Sequence, residues 1–243
     1  MIYHIVTTQP DIYKSFLETG LIARGIDRKI IDIKVHNLHD YAFDAHHSVD
    51  DTPAGGGAGM VLKVDVMANA LTQVKSSPSR QGESEAEKLK VKSKTILLTP
   101  QGKNFDQNKA KELAKLDEII LIAGRFEGYD ERIRDLVDEE ISIGDFVLTS
   151  GDIPAQIIID ATSRMICGFI EKNESTIEES FSYCPLSTSP YPLLEYPQYT
   201  RPVDFEGKKI PEVLLSGNHG EIAKWRHDQA LKRTHLRRPD LIC

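Results

Sequence analysis

Short runs of Ile, Leu and Val recur along the chain, each bounded by glycine, proline or charged residues. Ile2 to Val6, Lys29 to Val35, Thr95 to Leu98 and Glu118 to Ala123 read as strands. Their unbroken apolar character suits strands covered on both faces of a parallel sheet. Between them the period lengthens to that of helices. Asp11 to Ala23 after Pro10, Asp65 to Gln73, Tyr129 to Val137 and Pro154 to Ser163 are predicted helices, the last with Ile157, Ile158 and Ala161 inward. Asn104 or Asp106 can cap a further helix running to Lys115, with Ala110, Leu113 and Ala114 on its buried stripe. Alternating strands and helices predict an α/β fold with a parallel sheet.

Three stretches carry glycine or proline where strands should end: Thr99-Pro100-Gln101-Gly102, Gly124-Arg125-Phe126-Glu127-Gly128, and Ile141 to Gly151. The first two are expected to be turns. Open α/β sheets bind ligands beyond the C-terminal ends of their strands, and glycine lets a ligand approach the main chain there. The three stretches are therefore expected to meet and to outline an adenine and a ribose with bare peptide groups. The plainer reading is that they only connect packed elements.

Elsewhere the pattern is weaker. Residues 37–59 lack periodicity and end in Gly55-Gly56-Gly57-Ala58-Gly59, which fits neither G-x-G-x-x-G nor the P-loop, since Met60 stands where a glycine is needed and no Gly-Lys-Ser/Thr follows. Ser76 to Lys94 is polar and reads as a mobile surface insertion. From Phe169 to Pro202 the texture turns to Glu, Ser, Thr, Pro and Tyr, the signature of a linker. The expected divisions are residues 1–168, a linker 169–202, and a small helical domain 203–243. In the last, Asn218 with Glu221 three positions on resembles a capping box.

Composition adds bounds. The chain has 40% hydrophobic and 28% charged residues, ordinary for a globular protein. Residues 1–9 have no basic, apolar leader and no run is long enough to span a membrane, so the expected location is cytoplasmic. Cys167, Cys184 and Cys243 are widely spaced, which argues against a disulfide framework and fits a reducing compartment. The net charge is −7, yet between Ile222 and Pro239 six basic residues (Lys224, Arg226, Lys232, Arg233, Arg237, Arg238) stand against Asp228. That segment is either a solvated helix face or the phosphate-contacting part of an RNA clamp. No metal site is expected from His46, His47, His219, His227 and His235, which lack partner ligands at short spacing. Ser150 lacks the flanking glycines of a nucleophile elbow.

Gly124-Arg125-Phe126-Glu127-Gly128-Tyr129-Asp130-Glu131-Arg132, Ser142-Ile143-Gly144-Asp145-Phe146-Val147-Leu148 and Leu214-Leu215-Ser216-Gly217-Asn218-His219 closely resemble the bacterial tRNA (guanine-37-N1)-methyltransferases. The likeness runs from the first strand to Leu236-Arg237-Arg238-Pro239-Asp240-Leu241. It implies a SPOUT-class sheet with a deep trefoil knot across 95–163, plus the C-terminal helical domain. It also implies an obligate homodimer, tRNA as substrate, S-adenosyl-L-methionine as methyl donor, and magnesium dependence. The donor site it implies comprises Leu97, Leu98, Thr99, Pro100, Gln101, Gly102, Gly124, Arg125, Glu127, Gly128, Ile141, Ser142, Ile143, Gly144, Asp145, Phe146, Val147, Leu148, Ser150, Gly151 and Pro154. In the glycine cluster this chain has Ala54 and Ala58 where the family has Tyr and Pro.

Methylating N1 of guanine requires removal of its proton as charge builds mainly on O6, so the chemistry needs a carboxylate and a cation. The family supplies a base in the pattern Ser-Ala-Thr-Glu-Asp-Ser-Phe and an arginine in Ser-Arg. Here these positions read Ser175-Thr176-Ile177-Glu178-Glu179-Ser180-Phe181 and Ser163-Arg164. Arg164 matches, Glu179 stands in place of the aspartate, and Glu127 is expected against the target guanine. The extra bond of glutamate is roughly 1.5 Å. Three readings follow: Glu179 is a relocated base, Glu178 takes the role by a one-residue shift, or the enzyme is slow. A non-catalytic RNA-binding relative and an enzyme acting at another tRNA position are the competing classes.

Overall fold

The computed structural model describes residues 1–76, 91–170, 179–181 and 191–242. The chain forms two compact units, Met1–Ile170 and Glu171–Cys243.

In the first unit, strands β1 (Ile2–Thr7), β2 (Asp32–Asn37), β5 (Ser93–Asn104), β6 (Glu118–Ala123) and β7 (Glu139–Ser142) form one parallel sheet in the order β2-β1-β6-β5-β7. Every residue of β6 is buried, which is why Ile119 to Ala123 shows no polar alternation. Successive side chains go to opposite faces. Ile96, Leu98, Ile119 and Leu121 pack in one core with Ala155, Ile158 and Ile159, while Leu97, Ile120 and Ile122 pack in the other with Val66, Met67 and Leu71. A two-stranded ribbon of β3 (Asp50–Asp51) and β4 (Val61–Leu62) stands beside the sheet's own strands.

Several elements depart from the pattern-based expectation. The helix expected over Asp11 to Ala23 is a 3-10 turn (Pro10–Tyr13), a short α1 (Lys14–Glu18) and a separate α2 (Gly20–Asp27). Thr19 is extended and Gly20 has φ +67°, a conformation that breaks the helix and favours glycine. Strand β2 starts three residues later than expected, because Ile30 and Ile31 donate to the Gly25 carbonyl and close the end of α2. A Cβ on Gly25 would lie 2.5 Å from the Phe169 ring. Phe169, expected to open the linker, is instead buried in the first unit's core.

Helix α3 (Val64–Lys75) and helix α4 (Gln107–Leu113) follow their predicted positions, and Asp106 rather than Asn104 is the cap, accepting from the Lys109 amide at 2.8 Å. Tyr129 to Val137 is not an α-helix. Asp130 donates its amide to the Leu62 carbonyl, which holds Tyr129 extended, so only a 3-10 segment (Glu131–Leu136) forms. Helix α5 (Asp152–Ser163) starts two residues early and is rotated from the predicted phase: Ala155, Ile158, Ile159 and Thr162 are buried while Ile157 is exposed. Buried Asp152 sets that rotation by accepting from Thr7 Oγ1 at 2.7 Å and Tyr13 OH at 2.8 Å. Of the insertion expected over Ser76 to Lys94, residues 77–90 lie outside the described residues, and Ser93 and Lys94 belong to β5.

Lys94, Lys109, Glu112 and Glu139 close a ring of ion pairs 2.7 to 3.1 Å long that joins β5, α4 and β7. Hydrogen bonds from Lys109 and Lys94 hold the Glu112 carboxyl down to about 2. At Glu139 burial works upward, but bonds from the same lysines outweigh it and the carboxyl is also lowered. Both carboxyls are depressed relative to the unfolded chain, so their contribution is complete above the ordinary glutamate range and is lost as pH falls through their lowered values, about 2 for Glu112. Glu139→Gln is therefore expected to lower Tm at neutral pH, with the gap to wild type closing as pH falls below the ordinary glutamate range in thermal melts.

In the second unit, β8 (Asp204–Phe205) and β9 (Lys208–Lys209) form a hairpin whose turn residues Glu206 and Gly207 both have positive φ. Helices α6 (Glu212–Leu215) and α7 (His219–Arg237) follow. The Asn218 side chain accepts from the Glu221 amide at 3.3 Å, the cap expected from the sequence. Residues 191–199 of the expected linker pack on α7: Leu194 N donates to buried Thr234 Oγ1 at 2.8 Å, and Arg226 lies 4.7 Å over the Tyr196 ring. Residues 171–178 and 182–190, including Glu178, lie outside the described residues.

Candidate functional site

A cavity of about 260 Å³ opens at the C-terminal ends of β5, β6 and β7, lined by residues 98–101, 124–129, 141–144 and 146–151 with Glu131, Arg134 and Pro154. The three glycine-bearing stretches thus meet in space, as their sequence pattern predicts.

One of them is not a turn. β5 continues through Thr99, Pro100, Gln101 and Gly102, and both Leu98 and Lys103 pair with Ile141, so these four residues are a bulge within a strand. Gly102 lies behind that bulge, where an added Cβ would come 2.5 Å from the Ile141 amide nitrogen. It does not line the cavity. Leu97 points into the core on the other face, and Asp145 is exposed outside the cavity lining. The other expected donor-site residues line it.

The remaining two stretches hold each other. Gly151 donates its amide to the Gly124 carbonyl at 2.7 Å, and Arg125 and Ser150 form an antiparallel bridge. A Cβ on Gly151 would lie 2.9 Å from Ala123 Cα, so only glycine allows this approach. Gly144 turns at φ +143°, with its amide donating to Ser142 Oγ at 3.2 Å. Peptide groups expected to be bare are in part already used: the Gly124 amide donates to Tyr129 OH at 2.6 Å.

Sequence reasoning missed five lining residues, Phe126, Tyr129, Glu131, Arg134 and Thr149. Phe126 stands at φ +65°, a costly conformation for an aromatic residue, next to Glu127, whose amide donates to the Met60 carbonyl. Arg134 donates to Gln101 Oε1 at 2.7 Å, pairs with Glu131 at 2.9 Å and contacts Glu140, tying the rim from the β5 bulge to β7. The signal was available in Glu131 and Arg134, three positions apart, but the segment read only as part of a helix from Tyr129 to Val137. Gly59, last of the glycine cluster, faces the Glu127 side chain so closely that a Cβ would overlap it.

Arg164 caps the C-terminus of α5, ten residues beyond Pro154, which is about 15 Å along the helix. Within one chain it does not join the cavity. Glu179 belongs to the second unit, beside Ser180, whose hydroxyl accepts from the Glu195 amide at 3.0 Å, and Phe181, whose amide donates to Leu193 O at 2.8 Å. Among the six basic residues near the C-terminus, Lys224, Lys232 and Arg237 are exposed on α7. Arg233 donates to the Glu195 carbonyl, and Arg238 is engaged by Asp240 at 2.7 Å and lies over Phe181.

Comparison with known proteins gives one answer. The family described as tRNA (guanine-1)-methyltransferase TrmD matches residues 1–243. Among similar curated proteins is one from Lactobacillus helveticus, 45% identical over 239 residues, covering 98% of this chain and 90% of its own length. Another, from Dictyoglomus turgidum, is 44% identical over 238 residues and covers 98% of this chain and 88% of its own. A third, from Geobacter sp. strain M21, is 44% identical over 243 residues, covering 100% and 90%. All three are named tRNA (guanine-N(1)-)-methyltransferase. With a cavity built by the same stretches that carry the family's motifs, and a match along its whole length, the chain belongs to the tRNA (guanine-1)-methyltransferase family.

Proposed function

We propose that this protein transfers a methyl group from S-adenosyl-L-methionine to N1 of guanine 37 in tRNA. The observation that carries the reading is the glycine-edged cavity at the strand ends, whose walls are the segments the family motifs occupy. Gly124 and Gly151 line that cavity, and because they lack side chains its walls close on Tyr129 and Ala123 and present main chain to a flat nucleoside. When bound, the donor supplies a sulfonium methyl, and the protein's own task is to hold the two reactants in line and manage one proton. Glu179 takes the N1 proton, Arg164 offsets the charge growing on O6, and Glu127 orients the guanine from the cavity's edge.

A homodimer with each active site at the subunit interface completes this arrangement. Arg164 is remote from the cavity of its own chain, whereas Val147, Leu148, Ile153 and Ile157 leave an exposed apolar patch on and beside α5. In this reading a second copy covers that patch, and the donor is held by one subunit while Glu179 is supplied by the other. The SPOUT knot belongs to the same reading: the chain after β7 returns to bridge Arg125 with Ser150 before α5 packs against the sheet. The magnesium dependence that the resemblance implies is assigned to no residue, since among the described residues no three carboxylate, histidine or cysteine side chains gather. Among the same residues no helix is long and apolar enough to cross a membrane, and a tRNA-modifying role fits a cytoplasmic location.

Lys224, Arg226, Lys232, Arg233, Arg237 and Arg238 form the RNA-contacting surface of the second unit, with the exposed Lys224, Lys232 and Arg237 leading. Phosphate contacts release counterions, so tRNA affinity should fall steeply with salt while donor affinity stays level. Charge reversal at Arg237 and Arg238 is expected to weaken tRNA binding at least about tenfold and to flatten the salt slope by about two in filter-binding titrations. The function itself is tested by labelled-methyl transfer to a tRNA transcript with guanine at position 37 and to one with that base changed. Label on the first alone supports the assignment. Equal labelling of both moves the target elsewhere, and labelling of neither leaves a binding protein.

A further inference from the structure

We propose that Tyr129 is a positioning residue for the methyl donor, its phenol fixing the spacing between Leu98 and Gly124 at the cavity wall. The inference rests on the donor site proposed above. Tyr129 lies between the two strand ends that the cavity joins. Its hydroxyl accepts from the Gly124 amide at 2.6 Å and donates its one proton to the carbonyls of Leu98 at 3.1 Å and Ile122 at 3.3 Å. One oxygen thus ties the end of β5, before its bulge, to the end of β6, before its turn. Leu98 and Gly124 both line the cavity, so the tie sets how far apart two of its edges stand.

Two further features make this tie a constraint. The Tyr129 main chain is itself clamped, because the flanking Gly128 carbonyl accepts from Leu62 and the Asp130 amide donates to Leu62, each at 3.0 Å. The ring therefore cannot follow the strand ends if they part. Gly124 also has no side chain in the place the ring occupies: a Cβ there would overlap the ring and hydroxyl. Burial pushes the Tyr129 phenol well above the ordinary tyrosine value, so it remains a neutral donor and acceptor throughout the working pH range. The role is distinct from chemistry: the hydroxyl is satisfied by three main-chain groups and holds shape rather than moving a proton.

The test is Tyr129→Phe, which keeps the ring and removes the tie, studied in the full-length protein with Ile133→Val as a control. Ile133 is buried in the same core beyond the cavity lining. S-adenosyl-L-methionine binding is measured by calorimetry, and KM for donor and for tRNA by methyl transfer. Tyr129→Phe is expected to raise donor Kd and donor KM about tenfold, leaving tRNA KM and the far-ultraviolet circular dichroism spectrum unchanged. Ile133→Val is expected to lower Tm with donor Kd held. Wild-type donor affinity in Tyr129→Phe overturns the positioning role alone, as does equal weakening of donor and tRNA. A wild-type protein that binds no donor overturns the donor site, and with it this role.

Discussion

Glu179→Ala is expected to lower kcat by about a hundred- to ten-thousand-fold, the range for loss of a general base, with donor Kd unchanged. The reason is chemical: N1 of guanine carries a proton, and a methyl cannot be added without a neighbouring group to accept it. Glu179→Asp then separates two readings. If the backbone around Ser180 and Phe181 has retreated to accommodate the longer side chain, shortening it should cost about a hundredfold, because a misplacement of ~1 Å is penalised by roughly that much. If aspartate works as well or better, the native glutamate is a poor fit and the enzyme is slow. Near wild-type turnover in Glu179→Ala, with a large loss in Glu178→Ala, moves the base one residue. Mixed dimers add a check on where the base acts. Under the proposed homodimer, co-expressing a Glu179→Ala chain with a chain whose donor cavity is blocked should recover activity that neither variant has alone.

The blocked chain is itself the second prediction. Gly124→Ala should abolish tight donor binding, raising Kd more than about a hundredfold by calorimetry. The new methyl group would overlap the Tyr129 ring, which is held by main-chain hydrogen bonds on both sides. Overpacking of this kind costs about 1 to 3 kcal/mol even before the cavity changes shape, so Tm should fall as well. Gly128→Ala is the informative contrast. Nothing lies within 4 Å of its Cβ position, and only its φ of +127° penalises the change. A Gly128 variant as damaging to donor affinity as Gly124→Ala would mean that backbone strain, and not the Tyr129 contact, shapes the site.

Four of the sheet's five strands were readable from the apolar pattern, because central parallel strands are buried twice and so write themselves as unbroken apolar runs, Ile119 to Ala123 being the clearest. β7, Glu139-Glu140-Ile141-Ser142, carries no such run and was not read as a strand. The cavity was readable because glycines cluster where main chain must be approached. What failed were features decided by distant contacts. Thr99-Pro100-Gln101-Gly102 reads as a turn from any local rule, and becomes a strand bulge only because β7 pairs on either side of it. The phase of α5 is set by two hydroxyls, Thr7 and Tyr13, more than a hundred residues earlier. Tyr129 looked like one more member of a charged helix, since nothing in its neighbourhood advertises that its hydroxyl reaches Leu98. Glu127, Gly144 and Leu148 could be named because the family motifs mark them, and Phe126 was passed over although it sits inside the same motif.

The double engagement of Gly124 carries a consequence for discrimination among small molecules. With its amide proton given to a phenol and its oxygen already receiving Gly151, the main chain of that residue has no free donor and only one remaining lone pair to offer a visitor. Whatever part of a ligand rests there is judged by its thickness. Thin planar rings of quite different heteroatom pattern should be admitted alike, while one added methyl standing out of the plane should be refused.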